Sequence, residues 1–330
     1  MKTIKLLSAL AAVAMMVGCA APDEDYTSKV NPKIGSGGHG HVFVGANAPF
    51  GMTQVGPTSI TQEWDWCSGY HDSENSVIGF SHTHLSGTGC GDLFDVTLMP
   101  VTGEVTYGRG RLGDYSTGFW SEADRTQEVV EPGYYSVPLI RYNILAEMTA
   151  TERGGLHRYT FPASDEAAII LDLVHGGCFD RPEDLFAEAV SDTRVVGRRH
   201  SWGWSNNQKV YFVIEFSKPF DKFEPIGENG FYYRIHFKTE EGEQIGVKVA
   251  LSSTSPAGAE LNFSTEVKDK DFDTVRKETR AKWQNELRKI RIYGATEEQN
   301  EIFYTGMYHM YVAPSLFSDV DGTYRGADNE

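Results

Sequence analysis

Cysteine is scarce. Only Cys19, Cys67, Cys90 and Cys178 occur in 330 residues, and if Cys19 is consumed by lipidation an odd three remain, so no disulfide framework can be read. Basic residues are also few: 30 Lys and Arg stand against 46 Asp and Glu, a formal charge of −16, with no long run of Lys or Arg. A surface of that sign repels phosphate backbones and argues against nucleic acid as a partner. The apolar run from Leu6 to Val17 is too short to span a bilayer as a stable helix. Strand and helix patterns do not alternate, which argues against a doubly wound parallel sheet, and neither an internal repeat nor a low-complexity tract is present.

What is present begins with an address. Lys2 and Lys5 precede the apolar run, which closes on Met16-Val17-Gly18-Cys19. This resembles a bacterial lipoprotein box, in which small Gly18 admits a peptidase and Cys19 carries the lipid. Residues 1–18 are thus expected to be a signal peptide, and 19–29 a tether containing the acidic trio Asp23, Glu24 and Asp25. The expected location is outside the inner membrane of a Gram-negative bacterium, held by the lipid in the periplasm or at the outer surface.

The body reads as mainly β. Leu93 to Met99, Ala168 to Val174, Val210 to Phe216, Tyr232 to Phe237 and Gly246 to Leu251 are β-branched or aromatic runs of strand length. Turn-rich segments such as Glu131-Pro132-Gly133 separate them, as in a large antiparallel β-sandwich. After about Lys268 the texture becomes helical. Phe272, Val275, Trp283 and Leu287 mark one amphipathic helix. A second opens at Thr296 with Gln299 three residues on, a capping-box pattern, and is expected to bury Ile302, Phe303, Met307 and Met310 before Pro314 stops it.

Several patterns invite chemistry. Gly35-Ser36-Gly37-Gly38-His39-Gly40 satisfies a dinucleotide fingerprint formally, but no strand precedes it and no helix follows. His39, His41, His71, His82 and His84 crowd together with Asp65, Asp72 and Asp92, which raises a metal site. The reading that these imidazoles satisfy buried carbonyls is favoured, since HExxH is absent. Asp319-Val320-Asp321-Gly322 opens like a calcium loop, but Tyr324 stands where that loop requires glycine. Trp64-Asp65-Trp66-Cys67-Ser68-Gly69-Tyr70-His71 sets two indoles and a phenol among polar residues. An aromatic face packs on sugar C–H bonds while its polar edge bonds a hydroxyl, so this cluster suits a sugar subsite.

Two stretches together resemble glycoside hydrolase family 92, the calcium-dependent exo-α-mannosidases of bacteria. The first runs from Val30-Asn31-Pro32-Lys33-Ile34 through the glycine-rich loop, Pro49-Phe50-Gly51-Met52 and Trp64 to His71, into Ile78-Gly79-Phe80-Ser81-His82-Thr83-His84-Leu85-Ser86-Gly87-Thr88-Gly89. The second is Leu316-Phe317-Ser318-Asp319-Val320-Asp321-Gly322-Thr323-Tyr324-Arg325-Gly326. The resemblance implies a β-sandwich over 30–267, a helical linker over 268–313 and the start of a truncated (α/α)6 barrel at 314–330. It implies inversion by a protonated Glu and an Asp roughly 6.5–9.5 Å apart, spaced to admit water. Those carboxylates and the ligands of Ca2+ lie in the family's barrel and match no position here. Trp66, with Trp64 as second choice, resembles the aromatic residue lining the sugar site. Asp328, in the stretch opened by Arg325, resembles the carboxylate that grips hydroxyls of the terminal mannose.

Two functions follow as expectations. One is the N-terminal part of an α-mannosidase acting on mannose-containing glycans, inactive without its barrel. The other is a carbohydrate-binding surface lipoprotein that cuts nothing. A shortened barrel also implies that the helices around Trp283 and Met307 expose an apolar seam and leave the chain poorly soluble.

Overall fold

Alternation along the strands assigns the core. In Glu243–Ser252 the side chains of Ile245, Val247, Val249 and Leu251 are buried while Gln244, Gly246 and Lys248 are partly or fully exposed, the period-two pattern of a sheet with one face turned to a core. The computed structural model describes residues 24–227 and 230–328. Cys19 and the signal peptide expected at 1–18 lie outside the described residues.

Two antiparallel sheets face each other. One has seven strands in the order Ala46–Asn47, Gln54–Thr58, Gly79–Ser81, Thr97–Thr102, Ser164–Asp172, Tyr232–Thr239 and Lys222–Ile226. The other has eight, in the order Arg181–Ala189, Arg194–Trp202, Gln208–Phe216, Glu243–Ser252, Gly154–Phe161, Ile144–Ala150, Tyr134–Leu139 and Val129–Glu131. Their inner faces make one continuous core in which Phe80 of the first sheet meets Tyr135 and Tyr159 of the second at 6.5 and 6.3 Å between ring centroids. The fold is therefore a mainly β antiparallel sandwich followed by helices, as the composition indicates.

One strand begins later than expected. Leu93 to Met99 was read as extended, but the strand is Thr97–Thr102, because Leu93, Phe94 and Val96 have φ of +71°, +66° and +55°. Bulky side chains rarely adopt that region, at a cost of about 1–3 kcal/mol each, and need surroundings that enforce it. Asp95, in the middle, supplies them. Its carboxylate accepts from Arg199 at 2.6 Å, Thr83 Oγ1 at 2.7 Å and Gln208 Nε2 at 3.3 Å. Arg199 lies on the opposite sheet, fully buried, and also bonds Asp180 and the Leu173 carbonyl, the latter at 2.9 Å. One guanidinium thus joins both sheets beneath a single edge of the sandwich.

Three helices follow. α1 (Pro256–Glu266), which the apolar spacing alone does not reveal, starts at the N-cap Ser255 with Pro256 in its first turn. Its Ala259 and Phe263 cover Leu156, Val213 and Ala250 on the outer face of the eight-stranded sheet. α2 (Phe272–Leu287) buries Val275, Trp283 and Leu287 as its spacing predicts, and Thr279 with them, while Phe272 is only partly buried. α3 (Glu297–Val312) has the expected capping box between Thr296 and Gln299.

The face of α3 differs from expectation. Ile302 and Met310 are 58% and 70% exposed, whereas Tyr304, Met307, Tyr308 and Val312 are buried. The tyrosines can go inside because their hydroxyls find acceptors: Tyr308 reaches Asn47 Oδ1 at 3.2 Å and Tyr304 the Ile290 carbonyl at 3.2 Å. The apolar seam expected at Trp283 and Met307 is likewise not open. Both are covered by one another's helices and by Tyr26 and Phe43, with Trp283 Nε1 donating to Asn47 O at 2.7 Å. Part of the stretch expected as a free tether provides this cover, since Tyr26 and Thr27 are buried and the Tyr26 amide donates to Gln284 Oε1 at 2.8 Å.

The last stretch is anchored by Asp319. Its carboxylate accepts from Asn262 Nδ2 at 2.7 Å, Ser252 Oγ at 2.9 Å and Thr254 Oγ1 at 2.5 Å. The residue that begins the calcium-like pattern is therefore a buried structural acceptor. Asp319→Ala should cost about 3 kcal/mol in urea unfolding, because three donors lose their acceptor inside the protein. Asp321→Ala, two residues on at the surface, should leave the midpoint nearly unchanged; equal effects would refute this assignment.

Candidate functional site

The five clustered histidines separate into two groups. His82 and His84 belong to the core. His82 Nδ1–H donates to the Val96 carbonyl and its Nε2 meets His157 Nε2 at 2.9 Å, while Tyr159 OH bonds His157 Nδ1 at 2.8 Å. His84 Nδ1–H donates to Gln54 O at 2.8 Å between the rings of Phe43 and Phe94. Burial pushes His82 down to about 4 and His84 down to about 3, and holds His157 well below its ordinary value. These imidazoles are neutral packing groups, which is the structural reading of the cluster, and a metal held by His82 with His84 is not what the geometry shows.

The second group lies nearer the surface, with His39 exposed and His41 and His71 largely covered. Trp64–Trp66 forms one turn of 3-10 helix, so that Trp64 stands 53% exposed while Trp66 is half-buried against His71, ring centroids 4.5 Å apart. Trp64 is fixed by its Nε1–H, which donates to Gly89 O at 2.9 Å, and its ring meets His41 edge-on at 4.4 Å. Asp65 turns between two imidazoles: His39 Nδ1 at 2.7 Å and His41 Nε2 at 3.2 Å from the same oxygen. Those hydrogen bonds, His39 first, hold the Asp65 carboxyl below its usual range. His71 completes the floor, with Nε2–H donating to Gly38 O at 3.1 Å.

The glycine-rich stretch serves these side chains. A Cβ at Gly40 would lie 2.0 Å from Gly35 O, so only glycine lets the loop fold back there. His41 follows with φ +54°, and its carbonyl is held by Ser68 Oγ and, at 2.6 Å, by the Gly87 amide.

The other expected site residues have separate supports. Arg325 donates to the carbonyls of Asn207 at 2.9 Å and Ser253 at 3.2 Å, with Phe317 beneath its guanidinium at 5.9 Å. Asp328 is exposed. Met52, His84, Leu251, Leu316 and Phe317 line an apolar cleft that neither Trp66 nor Arg325 enters. Two aromatic residues escaped the sequence reading: Trp202 and Trp204, 41% and 77% exposed, beside Asp92, which accepts from the Ser205 amide at 2.8 Å. Their setting, Ser201 to Asn207, repeats the mixture of indoles with small polar residues that singled out Trp64 to His71.

Calcium does not fit what is here. It takes six to eight oxygens. Among the described residues, the group of acidic, histidine or cysteine side chains within ligand reach is His39, His41 and Asp65, with two nitrogens in three donors.

Comparison with known proteins sets this surface in context. Residues 29–252 match the glycosyl hydrolase family 92 N-terminal domain, and residues 258–330 match the glycosyl hydrolase family 92 catalytic domain. A family GH92 α-mannosidase of Bacteroides thetaiotaomicron superimposes with a TM-score of 0.87 at 34% identity, over 93% of this chain and 44% of that one. It has also been solved with mannoimidazole. An inverting family GH92 mannosidase of the same organism shares the fold, with a TM-score of 0.78 at 22% identity, over 93% of this chain and 43% of that one. An uncharacterised secreted glycosidase of Arthroderma benhamiae is 23% identical over 89% of this chain and 42% of its own length. The chain thus spans less than half the length of these relatives.

The core histidines make a signed prediction. Their folded values lie below the 6.5 of an unfolded imidazole, so the unfolded chain binds more protons and stability falls as pH drops from about 6.5 towards 4. Each such imidazole contributes about 1 kcal/mol per pH unit in that window. His84→Gln, which keeps a donor but cannot titrate, should flatten the loss in urea midpoint between pH 6.5 and 4.5. An unchanged slope would contradict the neutral, buried assignment.

Proposed function

Since the chain belongs to glycosyl hydrolase family 92, we propose that it supplies the sugar-gripping sandwich of an exo-acting, inverting α-mannosidase that removes terminal mannose from glycans. The observation that carries the reading is the pair of indoles on one turn, Trp64 open to solvent and Trp66 half-buried, set among histidine and aspartate groups. A pyranose offers C–H bonds on one face and hydroxyls at its rim, and this surface offers the complement of both.

In this reading Trp66 lies under the sugar ring and Trp64 at its edge. Asp328 accepts two hydroxyl bonds of the nonreducing residue, which restricts attack to chain ends. Arg325, already fixed by two carbonyls, keeps that segment in place. None of these residues is assigned the part of proton donor, of the base that activates water or of a calcium ligand. Export is proposed to end with a lipid on Cys19, leaving the protein outside the inner membrane.

Incubated alone with an α-linked mannobiose and calcium, residues 1–330 should release no mannose; release would place the acid and base within them. With the family's catalytic barrel present on the same polypeptide, release is expected. Trp66→Ala should then lower kcat/KM by about tenfold or more. An unchanged kcat/KM would remove Trp66 from the pocket. Measurable affinity of the isolated chain for mannose, abolished by Trp66→Ala, would favour a binding lipoprotein instead.

A further inference from the structure

We propose that His39, His41 and Asp65 form a site for a divalent transition-metal ion, zinc above all, separate from the calcium chemistry of the family. Three observations lead to it. The donor atoms are already gathered: His39 Nδ1 and His41 Nε2 lie 2.7 and 3.2 Å from one Asp65 oxygen, and the three ligand atoms fall within 4.8 Å of one another. A tetrahedral zinc with bonds of roughly 2.0–2.1 Å spaces its donors roughly 3.3 Å apart, so rotations of side chains suffice and the backbone need not move. The donor types are also selective. Two imidazole nitrogens and one carboxylate suit zinc, copper or nickel and are a poor set for calcium or magnesium, which prefer oxygen throughout.

The third observation is orientation. His41 is 7% exposed and sits at φ +54°, with its carbonyl tied to Ser68 and Gly87. The Trp64 ring abuts both imidazoles, at 4.4 Å from His41 and 5.4 Å from His39. Two of the three ligands are therefore held, by backbone geometry for His41 and by its own 3-10 turn for Asp65. His39 is the exposed member that closes on the ion. Three protein ligands leave a fourth position open to water. The ion takes the place of the hydrogen bonds that now join the two rings to Asp65. The inference does not depend on the sugar reading, because binding is measured without sugar.

The test is zinc binding by the chain with its thiols alkylated, so that Cys67, Cys90 and Cys178 cannot compete. Equilibrium dialysis with elemental analysis should find one zinc per chain, and cobalt should give the visible absorption of a tetrahedral site. His39→Gln at the surface and Asp65→Asn, which keeps the side chain's shape in its half-buried place, should each weaken zinc at least tenfold without lowering the metal-free melting temperature. Millimolar calcium should not displace the ion. His41→Gln serves as a third variant if it folds. No stoichiometric zinc on folded protein, or zinc affinity in Asp65→Asn or His39→Gln equal to that of the unsubstituted chain, would overturn the proposal. Trp66→Ala should leave zinc binding intact, which keeps this result separable from failure of the mannose reading.

Discussion

The guanidinium of Arg199 is the contact on which the architecture depends. Fully buried, it pairs with Asp95 and Asp180 and donates to Leu173, so that a strand of one sheet is tied to the loop before Thr97–Thr102 and to the connection between the two sheets at 173–180. Desolvating such a group is expensive, and the arrangement is stable only while every donor keeps its acceptor. What it secures is unusual: three bulky residues, Leu93, Phe94 and Val96, in the left-handed region on either side of Asp95. Their strain is tolerated because Asp95 is gripped from three directions.

From that anchor the surface chemistry follows outward. Thr83, which bonds Asp95, lies between His82 and His84, whose neutral rings fill the core below. The chain then emerges at Gly87 and Gly89 to hold His41 and Trp64 in place. Across the same edge Asp92 receives the Ser205 amide and positions the stretch carrying Trp202 and Trp204. Exposed indoles and the exposed His39 imidazole are thus displayed on loops that a buried ion cluster supports, the arrangement expected where loops carry recognition and a scaffold carries stability.

Much of this was legible in the sequence, and the failures have physical causes. The runs at Ala168 to Val174, Val210 to Phe216, Tyr232 to Phe237 and Gly246 to Leu251 coincide with strands, because burial on an inner face leaves a direct apolar record. The Thr296 and Gln299 cap was equally readable, since it is a local bond pattern. Arg181–Ala189 went unread because it lies at the sheet's edge with charged and exposed residues. The segment Leu93 to Val96 misled because composition does not encode φ. Ile302 and Met310 misled because hydropathy ranks them above tyrosine, whereas Asn47 and the Ile290 carbonyl make tyrosine the better fit inside. For the site, the motif stretch located the indoles, but only coordinates could divide five histidines into core and surface.

Amide hydrogen exchange on an Arg199→Met variant tests the central claim most directly. If the buried cation holds the strained loop, exchange should rise at least tenfold across residues 82–96 and 173–180, while the strands from Tyr134 to Phe161 remain protected. Unchanged protection at 93–96 would show that the loop keeps its conformation without Arg199, and the account of how this edge is built would fail.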